Sequence, residues 1–194
     1  PVREVISYTK LAEQIEHLAQ KFQHLSGHTI ICALPHHYFT MEVYLALACA
    51  GANVMPVPCD LPSQEILDIA VVNKATYIFA ARDIFEDHRE NLALTNSLLV
   101  ICDVLAKKID VPSTAYAASS YSLTAKLLLG TSGTTGKPKG IPLSHRNIAI
   151  NAALLGKAWE FTSNDVLLHA LPMFHAHGLF ISLGCVLTTG SRMI

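Results

Sequence analysis

A glycine-rich segment in the second half of the chain carries the residues whose types and spacing best suit chemistry. Residues 127–144 read Leu-Leu-Leu-Gly-Thr-Ser-Gly-Thr-Thr-Gly-Lys-Pro-Lys-Gly-Ile-Pro-Leu-Ser. Glycine has no Cβ, so several backbone N–H groups can turn toward one anion, and hydroxyl groups add further donors. Lys137 and Lys139 place positive charge where a polyphosphate would sit. The segment therefore predicts a binding site for the triphosphate of a nucleotide.

The same segment differs from the two common nucleotide-binding loops. A P-loop has a hydroxyl residue directly after its lysine, whereas here Pro138 follows Lys137, and proline disfavours the helical conformation for the residue before it. The Gly-x-Gly-x-x-Gly spacing of dinucleotide-binding loops is also absent. Apolar residues flank the loop at 127–129 and 141–143. We therefore expect a loop that joins two strands and is mobile until phosphates bind, whereas composition alone would favour an ordinary surface turn.

Two motifs and one longer stretch resemble a known family. Residues 131–140 resemble the phosphate-binding loop of the adenylate-forming (ANL) superfamily, which includes acyl-CoA synthetases, luciferases and the adenylation domains of peptide synthetases. Residues 171–179, Leu-Pro-Met-Phe-His-Ala-His-Gly-Leu, resemble the Pro-x-Phe-His-x-x-Gly-Leu segment of that superfamily. The stretch from Leu34 to Pro58 is similar to its amino-terminal region. The chain thus resembles the N-terminal part of an AMP-dependent ligase of the acyl-CoA synthetase type.

This resemblance implies a two-step reaction in the intact protein. ATP, with Mg²⁺ on its phosphates, activates a carboxylic acid to an acyl-adenylate, and coenzyme A then takes the acyl group. The second motif is similar to that of malonate- or other dicarboxylate-activating members, and fatty-acid and aryl-acid members share much of it. Two alternatives stay open, namely an adenylation domain that loads a carrier protein and a noncatalytic nucleotide-binding module.

The resemblance also implies roles for individual residues. His175 is assigned the catalytic position near the reacting carboxylate, and Phe174 and His177 complete the acyl pocket. For His175 the alternative is a hydrogen-bonded interior histidine. Two histidines without a third ligand close in sequence do not predict a metal site. The residues expected to bind the phosphates of ATP are Thr131, Ser132, Gly133, Thr134, Thr135, Gly136, Lys137 and Lys139, of which Lys137 is the one that could point to solvent.

Composition excludes several other classes of function. The 194 residues carry a net charge of −1 without a basic run, so a nucleic-acid partner is not expected. Hydrophobic residues make up 51% of the chain, which is enough for a buried core, but no clean apolar stretch of about 18 residues predicts a membrane span. The five cysteines include no Cys-x-x-Cys pair, and Cys32, Cys49 and Cys185 lie in apolar stretches. Buried free thiols in the reducing cytoplasm are the expectation.

The spacing of apolar residues along the rest of the chain predicts the helices and strands that position these motifs. Helices are predicted over 11–25, 38–50, 64–73 and 84–94, and short apolar strands over 29–34, 53–58, 76–81 and 97–102. Strands that alternate with helices predict an α/β fold, with a mainly parallel sheet and helices on both faces, as in the large N-terminal domain of an adenylate-forming enzyme. Ser63 and Ser144 are predicted helix N-caps, and Trp159 is predicted to lie in the core.

The sequence also suggests how the chain is organised. We expect residues 1–194 to form the N-terminal part of an AMP-binding domain, with a subdomain seam near 112–122, where small polar residues cluster. Later parts of the family are missing from it, namely the Tyr-Gly-x-Thr-Glu and Thr-Gly-Asp segments and the small C-terminal domain with its adenylation lysine. The last residues, 190–194, resemble the opening of a further strand. A truncated chain that is inactive on its own is therefore the expectation.

Overall fold

Helices and short strands alternate through the first half of the chain, as the sequence predicts. The computed structural model describes residues 5–81, 84, 97–111, 126–131 and 139–194. In chain order the strands are β1 (Thr29–Ala33), β2 (Asn53–Pro56), β3 (Tyr77–Ala80), β4 (Leu98–Asp103), β5 (Lys108–Asp110), β6 (Lys126–Thr131), β7 (Lys139–Ser144), β8 (Val166–Leu167) and β9 (Arg192–Met193). The helices are α1 (Tyr8–Lys21), α2 (Tyr38–Cys49), α3 (Ser63–Val72), α4 (His145–Ala158) and α5 (Leu183–Thr189), with a 3-10 turn at Gln23–Leu25 and a π-helical turn at His177–Ser182. The predicted seam near 112–122 and, apart from Ile84, the predicted helix 84–94 lie outside the described residues.

A mainly parallel sheet organises the described part of the chain. Its seven strands stand in the order β5-β4-β3-β1-β2-β6-β7. The pairs β1–β2, β1–β3, β3–β4 and β2–β6 are parallel, whereas β5 and β7 pair antiparallel at the two edges. Parallel neighbours need long crossover connections, which α2 and α3 supply between the first three strands. The predicted fold class is confirmed.

Both faces of the sheet are covered at its central strands β1, β2 and β3, which explains why these strands are mostly apolar without alternation. Ile30 and Cys32 of β1 belong to the core cluster that packs under α1 and α2. Ile31 and Ala33, which point to the opposite face, belong to the cluster that packs under α3. Because successive side chains of a strand point to opposite faces, a strand covered on both sides must be apolar at every position.

Three of the residues with individual predictions, two N-caps and one core tryptophan, lie at the ends of helices in the structure. Ser144 is the N-cap of α4, as predicted: its Oγ accepts from the Asn147 backbone N–H at 3.1 Å, and the Asn147 side chain accepts from the Ser144 N–H at 3.1 Å. Ser63 is instead the first residue of α3, because the extended backbone of Pro62 directly precedes the helix. The prediction for Trp159 is wrong: it is 52% exposed, because it is the C-cap residue of α4, where the chain turns away.

The cysteines are free thiols with different environments. Cys32, Cys102 and Cys185 are buried, and burial raises the pKa of each of these thiols, which favours the unreactive protonated form. Cys49 is exposed, so the prediction of burial is wrong at that position. The reason is its place as the last residue of α2, where the helix reaches the surface.

The second half of the chain packs through small residues and returns to the first helix. A Cβ at Gly184 of α5 would lie 3.0 Å from the Cβ of Ala152 on α4, so the two helices approach closely there. The Tyr8 hydroxyl of α1 is within donor distance of two carbonyl oxygens, those of Val186 at 2.9 Å and Ser191 at 2.7 Å. None of the helices in the described ranges is long and apolar enough to cross a membrane.

Candidate functional site

The glycine-rich segment connects the two strands of an antiparallel hairpin. Strands β6 and β7 pair from Lys126↔Ser144 at the open end to Thr131↔Lys139 at the loop end. The prediction that the loop joins two strands is therefore confirmed. The Thr131 hydroxyl donates to the carbonyl oxygen of Lys139 at 3.4 Å. Of the expected phosphate ligands the structure thus describes this opposed pair, whereas Ser132, Gly133, Thr134, Thr135, Gly136 and Lys137, and with them the expected mobility of the loop, lie outside the described residues.

Two asparagines hold the hairpin at its opposite ends. The Oδ1 atom of Asn73, the C-cap residue of α3, accepts from the Gly140 N–H at 2.8 Å. The Oδ1 atom of Asn53, at the start of β2, accepts from the Lys126 N–H at 3.1 Å. A Cβ at Gly140 would lie 3.0 Å from the Leu128 Cβ and 3.1 Å from Asn73 Oδ1, so this position favours glycine. Neither asparagine was singled out by its sequence context.

The second motif forms a tight turn that we call the histidine turn, residues 169–179. The Nε2 atom of His169 lies 3.0 Å from the carbonyl oxygen of Gly178, and because a carbonyl can only accept, Nε2 carries the proton. The backbone N–H of His175 donates to the Pro172 carbonyl at 3.2 Å. A Cβ at Gly178 would lie 3.0 Å from the Pro172 carbonyl carbon and closer still to its oxygen. The glycine of the motif is therefore required by close packing of the backbone.

The predicted acyl-pocket residues lie on the outer side of this turn. Phe174 and His175 are in contact, with ring centroids 4.4 Å apart, and Phe174 is half-buried. His175 and His177 are exposed. The alternative reading of His175 as an interior histidine is therefore wrong. The role of these three side chains in an acyl pocket stays a prediction.

Within the histidine turn, the imidazole with interior contacts is that of His169, which sequence reasoning did not select. Its ring stacks on that of His36, with centroids 5.4 Å apart and planes inclined by 17°. His36 follows β1, so the stack joins the carboxyl end of the central strand to the histidine turn. His37, beside it, caps α2 through Nδ1, which accepts from the Phe39 N–H at 3.2 Å. Burial, and to a smaller extent the charge of Lys107, lower the pKa of His37.

The hairpin and the histidine turn share one hydrophobic cluster. Met173 and Leu179 of the turn are buried in the core cluster under α1 and α2. Leu127 and Leu129 of β6 pack against the same cluster. The chain leaves the turn through the π-helical segment at His177–Ser182, a rare geometry that occurs frequently at functional sites. The two motifs thus belong to one packed unit.

A metal centre is not built by the part of the chain that the structure describes. Within the ranges given above, no three His, Cys, Asp or Glu side chains lie close enough together to hold an ion. The groups that the described residues do offer are the Phe174 ring and the His175 and His177 imidazoles of the histidine turn. The hairpin adds the hydroxyl of Thr131 and the ammonium group of Lys139.

Comparison with known proteins decides the family. The family model described as AMP-binding enzyme matches residues 2–194. The chain belongs to the AMP-binding enzyme family. Relative to other members of the family it corresponds to the N-terminal part, and its mainly parallel sheet matches that of the N-terminal domain of adenylate-forming enzymes.

Individual relatives of this chain are CoA ligases. It is 30% identical over 142 residues to a malonate–CoA ligase of Arabidopsis thaliana, covering 69% of this chain and 23% of that protein. It is 28% identical over 176 residues to a CoA ligase of Gibberella moniliformis, covering 87% of this chain and 29% of that protein. ATP-bound MatB from Rhodopseudomonas palustris superposes with a TM-score of 0.83 at 26% identity, over 98% of this chain and 40% of that one. The chain therefore spans less than half the length of these relatives.

Proposed function

We propose that the intact protein is an acyl-CoA ligase that activates a short carboxylic acid with ATP and transfers the acyl group to coenzyme A. The observation that carries this proposal is the opposed pair of Thr131 and Lys139 at the mouth of the hairpin. Family membership and the CoA ligases among the relatives support it. In the first step a carboxylate oxygen bonds to the α-phosphorus as the bond to pyrophosphate breaks. In the second step the CoA thiolate attacks the acyl carbon and AMP leaves.

The hairpin would act on the β- and γ-phosphates. The Lys139 side chain is exposed at the first position of β7, and Thr131 stands opposite it at the last position of β6. An ammonium group and a hydroxyl at the two sides of a glycine-rich loop bind a polyphosphate from both sides. Holding the leaving pyrophosphate in this way neutralises the charge that grows on it in the transition state. Mg²⁺ would arrive with the triphosphate, and these roles of Thr131 and Lys139 do not depend on it.

The histidine turn would line the acyl side of the reaction. The half-buried ring of Phe174 and the exposed imidazole of His175 are in contact, and together they suit contact with a small acid and its reacting carboxylate. His177, two residues further along the chain, is exposed as well and offers a second imidazole. The malonate–CoA ligase among the relatives favours a short dicarboxylic acid, so malonate is the first substrate to test.

The phosphate role is tested by removing one charge at each end of the hairpin. We expect Lys139→Ala in the intact protein to slow acyl-adenylate formation about 10- to 100-fold, because a hydrogen bond to a charged group contributes about 1.5–3 kcal/mol. The thioester step, started from isolated acyl-adenylate and CoA, should change less than about threefold, since pyrophosphate has already left. Pyrophosphate release and thioester formation are measured separately in single-turnover experiments.

Lys126→Ala is the matched control, because Lys126 is an exposed lysine at the open end of the same hairpin. It removes the same charge and should leave both steps within about twofold of the wild type. Equal losses in the two steps for Lys139→Ala, or equal losses for both variants, would contradict the phosphate role. A wild-type protein that releases no pyrophosphate with malonate, succinate, acetate, octanoate or benzoate would overturn the ligase assignment.

A further inference from the structure

Asn73 lies at the carboxyl end of α3, which backbone hydrogen bonds hold in place. It is the C-cap residue of α3, and Lys74, directly after it, has a left-handed backbone with φ of 52°. The Lys74 N–H donates to Val71 at 3.1 Å and the Ala75 N–H donates to Ala70 at 2.8 Å. These two bonds form a Schellman motif, which closes the free carbonyl groups of a helix end. Ala70 is fully buried in the cluster under α3, so the backbone of Asn73 is fixed by the core.

The side chain of Asn73 uses both ends of its amide. Its Nδ2 donates to the Ile69 carbonyl at 2.8 Å, and its Oδ1 accepts from the Gly140 N–H at 2.8 Å. The bond to Ile69 fixes the amide so that its oxygen faces the strand, because the two ends of the amide have opposite hydrogen-bonding roles. Asn73 therefore joins a rigid helix end to the strand that leaves the glycine-rich loop.

Strand β7 needs such a partner because it is the outer strand of the sheet. β6 lies on one side of it, and among the described residues no further strand follows it in the sheet order. Outward-pointing N–H groups of an edge strand have no partner in a ladder and find one in a side chain or in water. The Gly140 N–H finds it in Asn73, one peptide unit after Lys139. The direction in which the chain leaves the loop at Lys139 is thus set by α3, the helix that packs on the cluster containing Ile31 and Ala33.

We propose that Asn73 is a positioning residue for triphosphate binding, acting through the Gly140 N–H on Lys139. This inference rests on the proposed function, because it assigns to Asn73 the geometry of a lysine that binds ATP. Asn73 itself touches no substrate in this scheme. Its loss would let the first residues of β7 move and would weaken the contact of Lys139 with the phosphates without changing the acyl side.

The test compares the two asparagines that hold the same hairpin. In the intact protein we expect Asn73→Ala to raise the KM for ATP about tenfold in malonate-dependent ATP–pyrophosphate exchange, with the KM for malonate changed less than about twofold. Asn53→Ala removes the corresponding bond at the open end, where Lys126 is held. It should lower the melting temperature to a similar extent and leave the KM for ATP within about twofold of the wild type.

Asn73→Asp is a second variant, which keeps the test informative if Asn73→Ala fails to fold. Its carboxylate can still accept from the Gly140 N–H, although it no longer donates to Ile69. In 1 M salt, where charges are screened beyond about 3 Å, its KM for ATP should lie closer to the wild type than that of Asn73→Ala. Equal KM values for ATP in Asn73→Ala and Asn53→Ala, or no recovery in Asn73→Asp, would overturn the positioning role while the wild type remains active. A wild-type protein without exchange would overturn the ligase function itself, and the inference with it.

Discussion

Replacing Gly178 by alanine tests whether the histidine turn is the acyl side of the site. A Cβ at this position would lie 3.0 Å from the Pro172 carbonyl carbon and 3.1 Å from the Leu171 carbonyl oxygen. Both neighbours are backbone atoms, which cannot move aside by changing rotamer. The turn must therefore open, and because the Gly178 carbonyl accepts from His169 Nε2 at 3.0 Å, that hydrogen bond must lengthen with it.

The size of the effect follows from these contacts. Introducing a methyl group into a well-packed site costs about 1–3 kcal/mol, which corresponds to a fall of about 2–12 °C in melting temperature for a chain of this size. A displacement of about 1 Å at a residue that orients substrate can cost about 100-fold in rate. We therefore expect kcat/KM for the acid to fall about 10- to 100-fold in Gly178→Ala. The KM for ATP should stay within about twofold, because the hairpin is not part of the turn.

Steady-state pyrophosphate release and thermal melting of the intact protein give the two readouts. Gly190→Ala is the control: Gly190 has a left-handed backbone with φ of 71° and no atom within 4 Å of an added Cβ. Alanine there costs about 1–2 kcal/mol of backbone strain and should leave kcat/KM for the acid unchanged. If Gly178→Ala melts earlier but retains the acid kinetics of Gly190→Ala, the turn does not hold the acid.

Two further predictions concern stability. Burial lowers the pKa of His24, His28 and His37 below the ordinary value of 6.5, with the charge of His24 adding to the effect at His28. The unfolded chain therefore binds more protons than the folded chain just below pH 6.5, so the free energy of unfolding should be constant above that pH and fall as the pH is lowered through the folded pKa values. Urea titrations from pH 8 to pH 5 measure it, and a stability that rises on acidification would contradict the burial of these rings. Glu160, directly after the C-cap of α4, has φ of 54°, so Glu160→Gly should raise the free energy of unfolding by about 0.5–1 kcal/mol. Calorimetry checks this, and an unchanged or lower melting temperature would show that the left-handed backbone carries no strain.

Local patterns in the sequence predict the parts of the site that depend on neighbours along the chain. Pro138 and the apolar flanks predict a hairpin rather than a strand-to-helix loop, and Ser144 predicts the start of α4. Both signals act within a few residues, through backbone sterics and capping. The histidine turn, by contrast, was located by its resemblance to a family motif, and its backbone contacts were not foreseen.

The contacts that a sequence cannot show are those between distant positions. Asn73 and Gly140 are separated by 67 residues, and an asparagine after a helix is equally suited to a solvated C-cap. His169 lies among apolar residues, and only the structure shows its stack with His36. The order of the strands is similarly hidden. β3 lies beside β1 and not beside β2, although the connection from β2 through α3 is long enough for either position. For Trp159 the sequence predicts a contact that the structure lacks. Its hydrophobicity predicts burial, whereas its position at the end of α4 leaves it exposed.

The contact of Tyr8 with the carbonyl oxygens of Val186 and Ser191 has a consequence for biosynthesis. Its partners follow it by 178 and 183 residues. At ribosomal rates of about 5–20 residues per second, Tyr8 would wait roughly 10–35 s before its partners emerge. Helix α1 can dock on α2 well before that, but its first turn would lack these two hydrogen bonds during synthesis and would be free to unwind. A nascent chain from which residue 186 has not yet emerged should thus be cleaved near Tyr8 faster than one that presents residue 191 outside the ribosome.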